Sequence, residues 1–363
     1  MTYLVLFTFS FLLLFLGEII TRDNLVRFST HVIVISILVL FVSLSTGVGL
    51  DFYNYEQIYN TVNKYSYYMD VDEFLYFSKY VHGEVGFLFF LSMLKEFGLP
   101  FNYFYFFNSL VSLSVLFYSL NKVSKNILPG FIYYCLNYFF LLQFVQVRTG
   151  MIVSLFIFIM VFYQSKPLRT YIALFTGLLY QKMIGAVVIL PLLNRINLKN
   201  WAIFVFFITS SSYMINVFDY LSYLPFSDLL PQLDSYILNE NYAGTLPLFA
   251  TIYSIIVFVF YWYMIRYIDD DQDKNLVVFC LKIYLLGIMC LIVFRDVTII
   301  SNRLYLMFTS TILVIIPLYF KYIKLNIYYG LFLLFLYAYP IYKMITTVLN
   351  PTLKLLPYSQ VVL

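Results

Sequence analysis

Long apolar runs separated by short polar connectors recur along the whole chain. A helix of about 20 residues spans the roughly 30 Å hydrocarbon core of a bilayer, and many of these runs are long enough to do so. Helices are predicted at 3–20, 31–49, 101–120, 127–145, 149–165, 168–181, 183–194, 200–218, 246–265, 275–294, 304–320 and 326–346. The pattern therefore predicts an all-α polytopic integral membrane protein with about twelve transmembrane helices, in the range of about 11 to 13.

The distribution of charge gives these spans an orientation. On one side of the predicted spans lie twelve of the 22 Lys and Arg residues and six acidic residues. On the other side lie nine Lys and Arg residues and twelve acidic residues, and Lys282 lies within a span. By the positive-inside rule the first side is cytoplasmic, which places both termini outside. This assignment requires that the apolar stretch at 84–98, which Lys95 and Glu96 interrupt, is an interfacial or re-entrant helix rather than a span.

Composition supports the same class of protein. Hydrophobic residues make up 63% of the chain and charged residues 11%, against about 25% charged in a globular domain, and the mean hydropathy is +0.87. A soluble globular protein is therefore excluded. The 37 Tyr and 40 Phe exceed what membrane-interface belts need, which suits a site that stacks against sugars or lipid, or else reflects a bias in the coding sequence.

Two outer segments are long enough to contribute to a site, within what we predict to be a single transmembrane domain over 1–363. Residues 50–100 form the first outer loop, with amphipathic juxtamembrane helices at 52–64 and 72–81, and residues 219–245 form a second, irregular loop. The three cysteines lie in apolar runs and the two histidines are far apart, so no metal-site spacing is present. We expect no metal, no cofactor and no nucleic-acid partner.

Four basic residues lie at the predicted outer ends of different helices. A charge at membrane depth is energetically costly, so such residues usually have a functional role. They are Arg148, Lys182, Arg295 and Arg303. Folding of the bundle would gather them around one outward-facing cavity, where arginine favours bidentate contacts to phosphate oxygens. The alternative is that each side chain reaches toward outer lipid headgroups.

Two acidic residues lie at the same predicted surface. Asp51 follows the second predicted span, and Glu84 begins the segment Glu84-Val85-Gly86-Phe87. A carboxylate there is able to accept a proton from an incoming sugar hydroxyl, whereas the simpler interpretation is an exposed loop or helix-cap carboxylate. Nearby Tyr55 and Tyr59 are candidates for stacking on sugar rings.

These motifs resemble, in order, those of the Wzy-type and EpsG-like bacterial polysaccharide polymerases. The matching elements are Asp51 to Tyr55 with Tyr59 beyond, Glu84-Val85-Gly86-Phe87 for Glu-Pro-Gly-Phe, Gln143 to Arg148 for a looser Gln-x-x-Arg, and a late Arg303. Two positions depart from the family pattern: Val85 replaces the proline, and Gln181 stands where a histidine is common. The layout is also similar to that of the wider GT-C glycosyltransferases.

The resemblance implies a function. The protein would transfer a growing glycan from polyprenyl (undecaprenyl) diphosphate to the non-reducing end of a lipid-linked repeat unit, with inversion, at the outer face of the bacterial cytoplasmic membrane. Asp51 or Glu84 would act as the base, and Arg148, Arg303, Lys182 and Arg295 would bind the diphosphate. The polymer would be an O-antigen, capsule or exopolysaccharide, and the resemblance allows for a chain-length regulator protein as a partner.

Other functions stay open at this point. A transporter or flippase for lipid-linked oligosaccharides should carry several midplane charges and repeated halves, whereas only Lys282 lies deep in a span and no repeat is visible. An O-antigen ligase or another GT-C glycosyltransferase would share the fold and the lipid donor. A membrane O-acyltransferase should have a histidine in its active cavity, whereas His31 is predicted on the cytoplasmic side and His82 lies beside Glu84. A metal held by Asp51 with Glu84 or Asp296 is an alternative to the arginines at the diphosphate.

Overall fold

The computed structural model of the protein describes residues 2–20, 23–45, 47–49, 51–68, 71–80, 84–163, 166–214, 247–322 and 327–350. Most of these residues are helical. In chain order the α-helices are α1 (Thr2–Phe15), α2 (Asn24–Ser43), α3 (Phe52–Thr61), α4 (Val71–Tyr80), α5 (Val85–Glu96), α6 (Asn102–Val123), α7 (Leu128–Tyr134), α8 (Val147–Phe162), α9 (Pro167–Tyr180), α10 (Leu190–Arg195), α11 (Leu198–Met214), α12 (Leu248–Met264), α13 (Asp271–Val293), α14 (Thr298–Thr309), α15 (Ile312–Tyr322) and α16 (Ile327–Leu349). The predicted outer loop at 219–245 lies outside the described residues.

The chain divides into two compact units. The first comprises Met1–Val187 together with Lys324–Leu363, and the second comprises Val188–Ile323. In the first unit α6 packs against α2, α5 and α8, and α8 packs against α9. In the second unit α13 packs against α10, α11, α12, α14 and α15.

Six described helical segments are long and apolar enough to cross a membrane, which confirms a polytopic membrane protein. They are Asn24–Ser43, Asn102–Val123, Leu248–Tyr267, Asp271–Val293, Ile299–Tyr322 and Gly330–Leu349. Two shorter apolar helices cover Val5–Ile20 and Val147–Phe162. The count of about twelve spans and the GT-C-like arrangement stay predictions. The helix α5 has 12 residues, or about 18 Å, which is too short to cross the hydrocarbon core.

Three predicted helices differ in form from what the structure contains. The segment at 127–145 begins as α7 and continues as two π-helical turns, Cys135–Phe139 and Leu141–Val145. The segment at 183–194 is a 3-10 helix, Lys182–Ile189, followed by the short α10. Pro191 lies in the first turn of α10 and has no N–H to continue an α-helix from the preceding turn.

The third difference lies at 304–320, which the apolar pattern predicts as one helix. Instead α14 ends at Thr309 and α15 begins at Ile312. The hydroxyl groups of Ser310 and Thr311 donate to the carbonyls of Met307 and Phe308 at 2.6 and 2.9 Å. The N–H groups of Thr311 and Leu313 also bond to carbonyls three residues earlier, those of Phe308 and Ser310, at 3.4 and 2.9 Å, so the backbone tightens into a 3-10-like turn at the break.

Within the first unit, one close helix approach positions part of the segment at 50–100. At Gly86, in the first turn of α5, an added Cβ would be 2.8 Å from the carbonyl oxygen of Leu179 in α9. Only glycine permits this separation, because real Cβ contacts are longer. The start of α5 is therefore held against the end of α9.

Lys282, the charge that the sequence predicts within a span, is held by hydrogen bonds inside the second unit. Its side chain is 6% exposed, and its Nζ donates to the carbonyl of Leu193 at 3.0 Å. Its own carbonyl accepts from the indole N–H of Trp201 at 2.8 Å. Lys282 thus connects α13 to α10 and α11.

Candidate active site

An ion pair joins two of the residues that the sequence selects. Arg148 is the second residue of α8, and Glu84 precedes the first residue of α5. One terminal nitrogen of the guanidinium donates to a carboxylate oxygen of Glu84. The two side chains are 18% and 19% exposed, so the pair is largely but not fully removed from solvent. The structure therefore brings one of the candidate cations into contact with one of the candidate carboxylates.

Two aromatic rings flank the same guanidinium. Its central carbon lies 4.7 Å from the ring centroid of Phe87 and 5.5 Å from that of Tyr55. These distances are within the range of cation–π attraction. Phe87 and Tyr55 also pack edge to face at 5.8 Å. The side chain of Arg148 is therefore fixed on three sides, by Glu84, Phe87 and Tyr55.

Buried polar groups lie directly behind Arg148. The amide of Asn108, on α6, is 2% exposed and donates to the carbonyl of Val147 at 3.0 Å. Its oxygen accepts from the hydroxyl of Tyr180, the last residue of α9, at 2.6 Å. The ring of Tyr180 in turn packs edge to face on Phe87 at 5.9 Å. Four helices therefore contribute to the surroundings of Arg148.

The candidate base Asp51 lies at the start of α3. It occupies the N-cap position without a side-chain cap hydrogen bond, and it is partly exposed. Its carbonyl accepts from the N–H of Tyr55 at 2.9 Å. Residues four apart share a helix face, so Asp51 stands one turn from the ring that faces Arg148.

The second tyrosine of that motif, Tyr59, connects α3 to the end of α5. Its hydroxyl donates to the carbonyl of Leu99 at 2.6 Å, and the Nζ of Lys95 lies 5.1 Å from its ring centroid. Burial raises the pKa of the Tyr59 hydroxyl. Stacking of sugars on Tyr55 and Tyr59 stays a prediction, since both rings already have contacts within the protein.

The two charges that interrupt the apolar stretch at 84–98 also connect parts of the segment at 50–100. The Nζ of Lys95 donates to the carbonyls of Asn60 and Val62 at 2.9 and 2.5 Å. A carboxylate oxygen of Glu96 accepts from the N–H and the hydroxyl of Ser66 at 3.0 and 2.8 Å. Burial lowers the pKa of Lys95, and the hydrogen bonds from Ser66 lower the pKa of Glu96.

Three polar atoms near the α8 and α9 ends are buried without a hydrogen-bond partner among the described residues. They are the Nε of Arg148, the Oε1 of Gln146 and the Oε1 of Gln181. Gln181 is 4% exposed and directly follows Tyr180. Lys182 is exposed at the start of the 3-10 helix. Gln181, which the motif resemblance sets where a histidine is common, is therefore a buried residue.

The remaining basic residues belong to the second unit. Arg303 lies within α14 and is half-buried, and its Nε has no hydrogen-bond partner in the part of the chain that the structure describes. Arg295 follows α13, and its Nε lies 3.8 Å from a carboxylate oxygen of Asp296. Diphosphate binding by Arg295 and Arg303 stays a prediction.

Sequence reasoning missed Asn108 and Tyr180. A signal for Asn108 was available, because Asn108, Ser109, Ser112 and Ser119 are polar residues inside one apolar run, and all four are buried in α6. Across the described ranges, no group of three or more His, Cys, Asp or Glu residues is arranged to hold a metal ion.

Comparison with known proteins gives one match. A family model described as the EpsG family matches residues 29–360, which is most of the chain. No curated protein matches the chain, and no solved structure does either.

Proposed function

Because the chain belongs to the EpsG family, whose members are membrane polysaccharide polymerases, we propose that it elongates a polysaccharide at the outer face of the bacterial cytoplasmic membrane. The family match confirms the resemblance drawn from the motifs. In this proposal the donor is a growing glycan on undecaprenyl diphosphate, and the acceptor is a single lipid-linked repeat unit. The polymerase acts on the non-reducing end of that unit.

The observation that carries this proposal is the environment of Arg148. Its guanidinium is fixed by Glu84 and two aromatic rings, yet 18% of the side chain stays exposed, at the start of a helix. Helix N-termini and arginine both favour anions, and a diphosphate gains negative charge as its bond to the sugar breaks. We assign Arg148 to the diphosphate, where it stabilises the leaving group.

The chemistry is a single displacement. The oxygen of an acceptor sugar hydroxyl attacks the anomeric carbon of the donor glycan, and a new C–O bond forms. The bond from that carbon to the diphosphate oxygen breaks, and its electron pair leaves with the undecaprenyl diphosphate. The hydroxyl proton passes to a carboxylate. Attack from the face opposite the leaving group inverts the anomeric centre.

Asp51 is the preferred base of the two carboxylates. Glu84 accepts a hydrogen bond from Arg148, so one of its carboxylate oxygens is already engaged by the guanidinium and is less accessible to an acceptor hydroxyl. Asp51 is partly exposed and lies one turn from Tyr55, whose ring faces the guanidinium of Arg148. Glu84 then acts to hold Arg148 in place. Lys182, Arg295 and Arg303 are proposed as further contacts to the diphosphate, on the basis of the sequence pattern.

Polymer length in cells tests the proposal. A strain that lacks its native copy would express wild type, Asp51→Asn, Glu84→Gln or Arg148→Ala, with protein levels matched by immunoblot. We expect Arg148→Ala and Asp51→Asn to leave single repeat units on the carrier lipid, and Glu84→Gln to shorten the ladder.

Matched controls are Arg169→Ala and Asp72→Asn. Arg169 is an exposed arginine of the same unit that donates to the hydroxyl of Tyr118 at 3.3 Å, and Asp72 is an exposed carboxylate on α4. Both should give a normal ladder. A normal ladder from Arg148→Ala, at wild-type protein level, would show that the assigned site is wrong.

A further inference from the structure

We propose that Asn108 and Tyr180 are positioning residues that set the orientation of Arg148. The inference rests on the proposed function and adds to it two residues that none of the sequence motifs identifies. Neither residue touches the guanidinium through a hydrogen bond. Each instead acts through a neighbour that does contact Arg148 or precedes it in the chain.

The contacts form a closed circuit. From the guanidinium of Arg148 the path runs 4.7 Å to the ring of Phe87, then 5.9 Å between ring centroids to Tyr180. The Tyr180 hydroxyl donates to Asn108 at 2.6 Å, and Asn108 donates to the carbonyl of Val147 at 3.0 Å. Val147 is peptide-bonded to Arg148, which closes the circuit. The backbone and the side chain of Arg148 are thereby tied to the same tyrosine.

Burial makes these bonds costly to break. Asn108, Tyr180 and Phe87 are 2%, 5% and 0% exposed, so water has little access to the groups that would be left unpaired. The circuit also joins α5, α6, α8 and α9, so a change in any of these four helices is transmitted to Arg148. A site that must hold a developing charge needs this kind of support, because a misplacement of about 1 Å reduces rates on the order of 100-fold.

Tyr180→Phe is the most informative change. It removes the hydroxyl and keeps the ring against Phe87, so the fold should be preserved while Asn108 loses its donor. Tyr134→Phe is the matched control, since Tyr134 is also fully buried, packs edge to face on Phe139 at 6.3 Å, and accepts from the buried amide of Gln143 at 2.7 Å. Its hydroxyl lies outside the circuit.

Two measurements separate positioning from general stability. The first is the rate of polymer formation in membranes, for each tyrosine variant alone and combined with Arg148→Lys. The second is the affinity of the purified full-length protein for inorganic pyrophosphate, by calorimetry, with thermal unfolding as a check on folding. Asn108→Leu is measured in the same way, because it also removes the hydrogen bond between Tyr180 and Asn108.

We expect Tyr180→Phe and Asn108→Leu each to lower the rate and the pyrophosphate affinity about tenfold. In the Arg148→Lys background the same changes should have almost no further effect, because residues that act as one unit are not additive. Tyr134→Phe should change the rate less than about twofold, in both backgrounds.

The proposal is overturned if the effects of Tyr180→Phe and Arg148→Lys multiply, or if Tyr134→Phe behaves like Tyr180→Phe. If Arg148→Lys lowers the rate while Tyr180→Phe and Asn108→Leu do not, only the positioning role fails. If Arg148→Lys leaves both the rate and the pyrophosphate affinity at the wild-type level, the proposed function of Arg148 and the positioning role fail together.

Discussion

The Glu84–Arg148 pair makes a quantitative prediction about stability. Exposed ion pairs contribute about 0 to 1 kcal/mol, whereas removal of one partner from a fully buried pair costs about 3 to 5 kcal/mol. With side chains 18% and 19% exposed, this pair lies between these limits. We therefore expect Glu84→Gln to lower the free energy of unfolding by about 2 kcal/mol.

The two partners should not be equivalent. After Glu84→Gln the guanidinium keeps its contacts with Phe87 and Tyr55, which are worth about 0.5 to 2 kcal/mol in such settings. Arg148→Gln loses those contacts and also leaves the carboxylate of Glu84 unpaired. It should therefore cost about 1 kcal/mol more than Glu84→Gln. The double variant leaves no unpaired charge and should be less destabilised than the sum of the two.

Equilibrium unfolding of the purified protein in mixed micelles measures this coupling. The comparison pair is Lys321–Asp273 in the second unit, which has a nitrogen–oxygen distance of 2.7 Å but a lysine 51% exposed. Its coupling should stay below about 1 kcal/mol. If the Glu84–Arg148 coupling is no larger than that of this control pair, the guanidinium is effectively solvated and the argument for a fixed Arg148 is refuted.

Three other predictions follow from single features. A membrane-impermeant maleimide should label Tyr67→Cys in intact cells and Asp271→Cys only after permeabilisation, because the predicted topology puts these two exposed residues on opposite sides of the membrane. The three native cysteines are buried and should not react. The reverse labelling pattern would show that the predicted topology is inverted. Gly86→Ala should lower the free energy of unfolding by about 1 to 3 kcal/mol, because the added methyl group overpacks the contact with α9. Gly330 has open space around it, so Gly330→Ala should not lower the free energy of unfolding. Equal effects of the two substitutions would contradict the close approach of α5 to α9. The pKa of Glu96 is lowered in the folded state, so its stabilising effect is complete above the unfolded pKa of about 4.3 and is lost as the pH falls through the lower folded value. Unfolding measured between about pH 3 and 7 should therefore show a smaller acid-induced loss in Glu96→Gln than in wild type, and identical pH profiles would remove this role.

Much of the helical architecture follows from local pattern. The amphipathic segments predicted at 52–64 and 72–81 form α3 and α4, at Phe52–Thr61 and Val71–Tyr80, because helical periodicity is a property of neighbouring residues. Their position at the membrane surface stays a prediction. Hydropathy likewise identifies the apolar segments, but it does not indicate where Pro191 or the turn at 310–311 interrupts regular α-helix.

The site was only partly predictable. Arg148 and Glu84 were selected individually by charge and position, but their pairing spans 64 residues of chain and depends on how α5 packs against α9. No local pattern contains that information. Asn108 and Tyr180 are 72 residues apart, which is farther still. In the sequence, a buried amide cannot be distinguished from any other polar residue within an apolar run.

The bonds made by Lys95 and Glu96 have a consequence for motion. Lys95 holds the end of α3, and Glu96 holds the segment that follows it, so α5 clamps both sides of the bend at 60–66. These bonds link α3, which follows Asp51, to α5, which follows Glu84, so we expect the two helices to move together. If the proposed function is correct, we expect an opening that admits a lipid-linked substrate beside Arg148 to displace α3 and α5 together relative to α8.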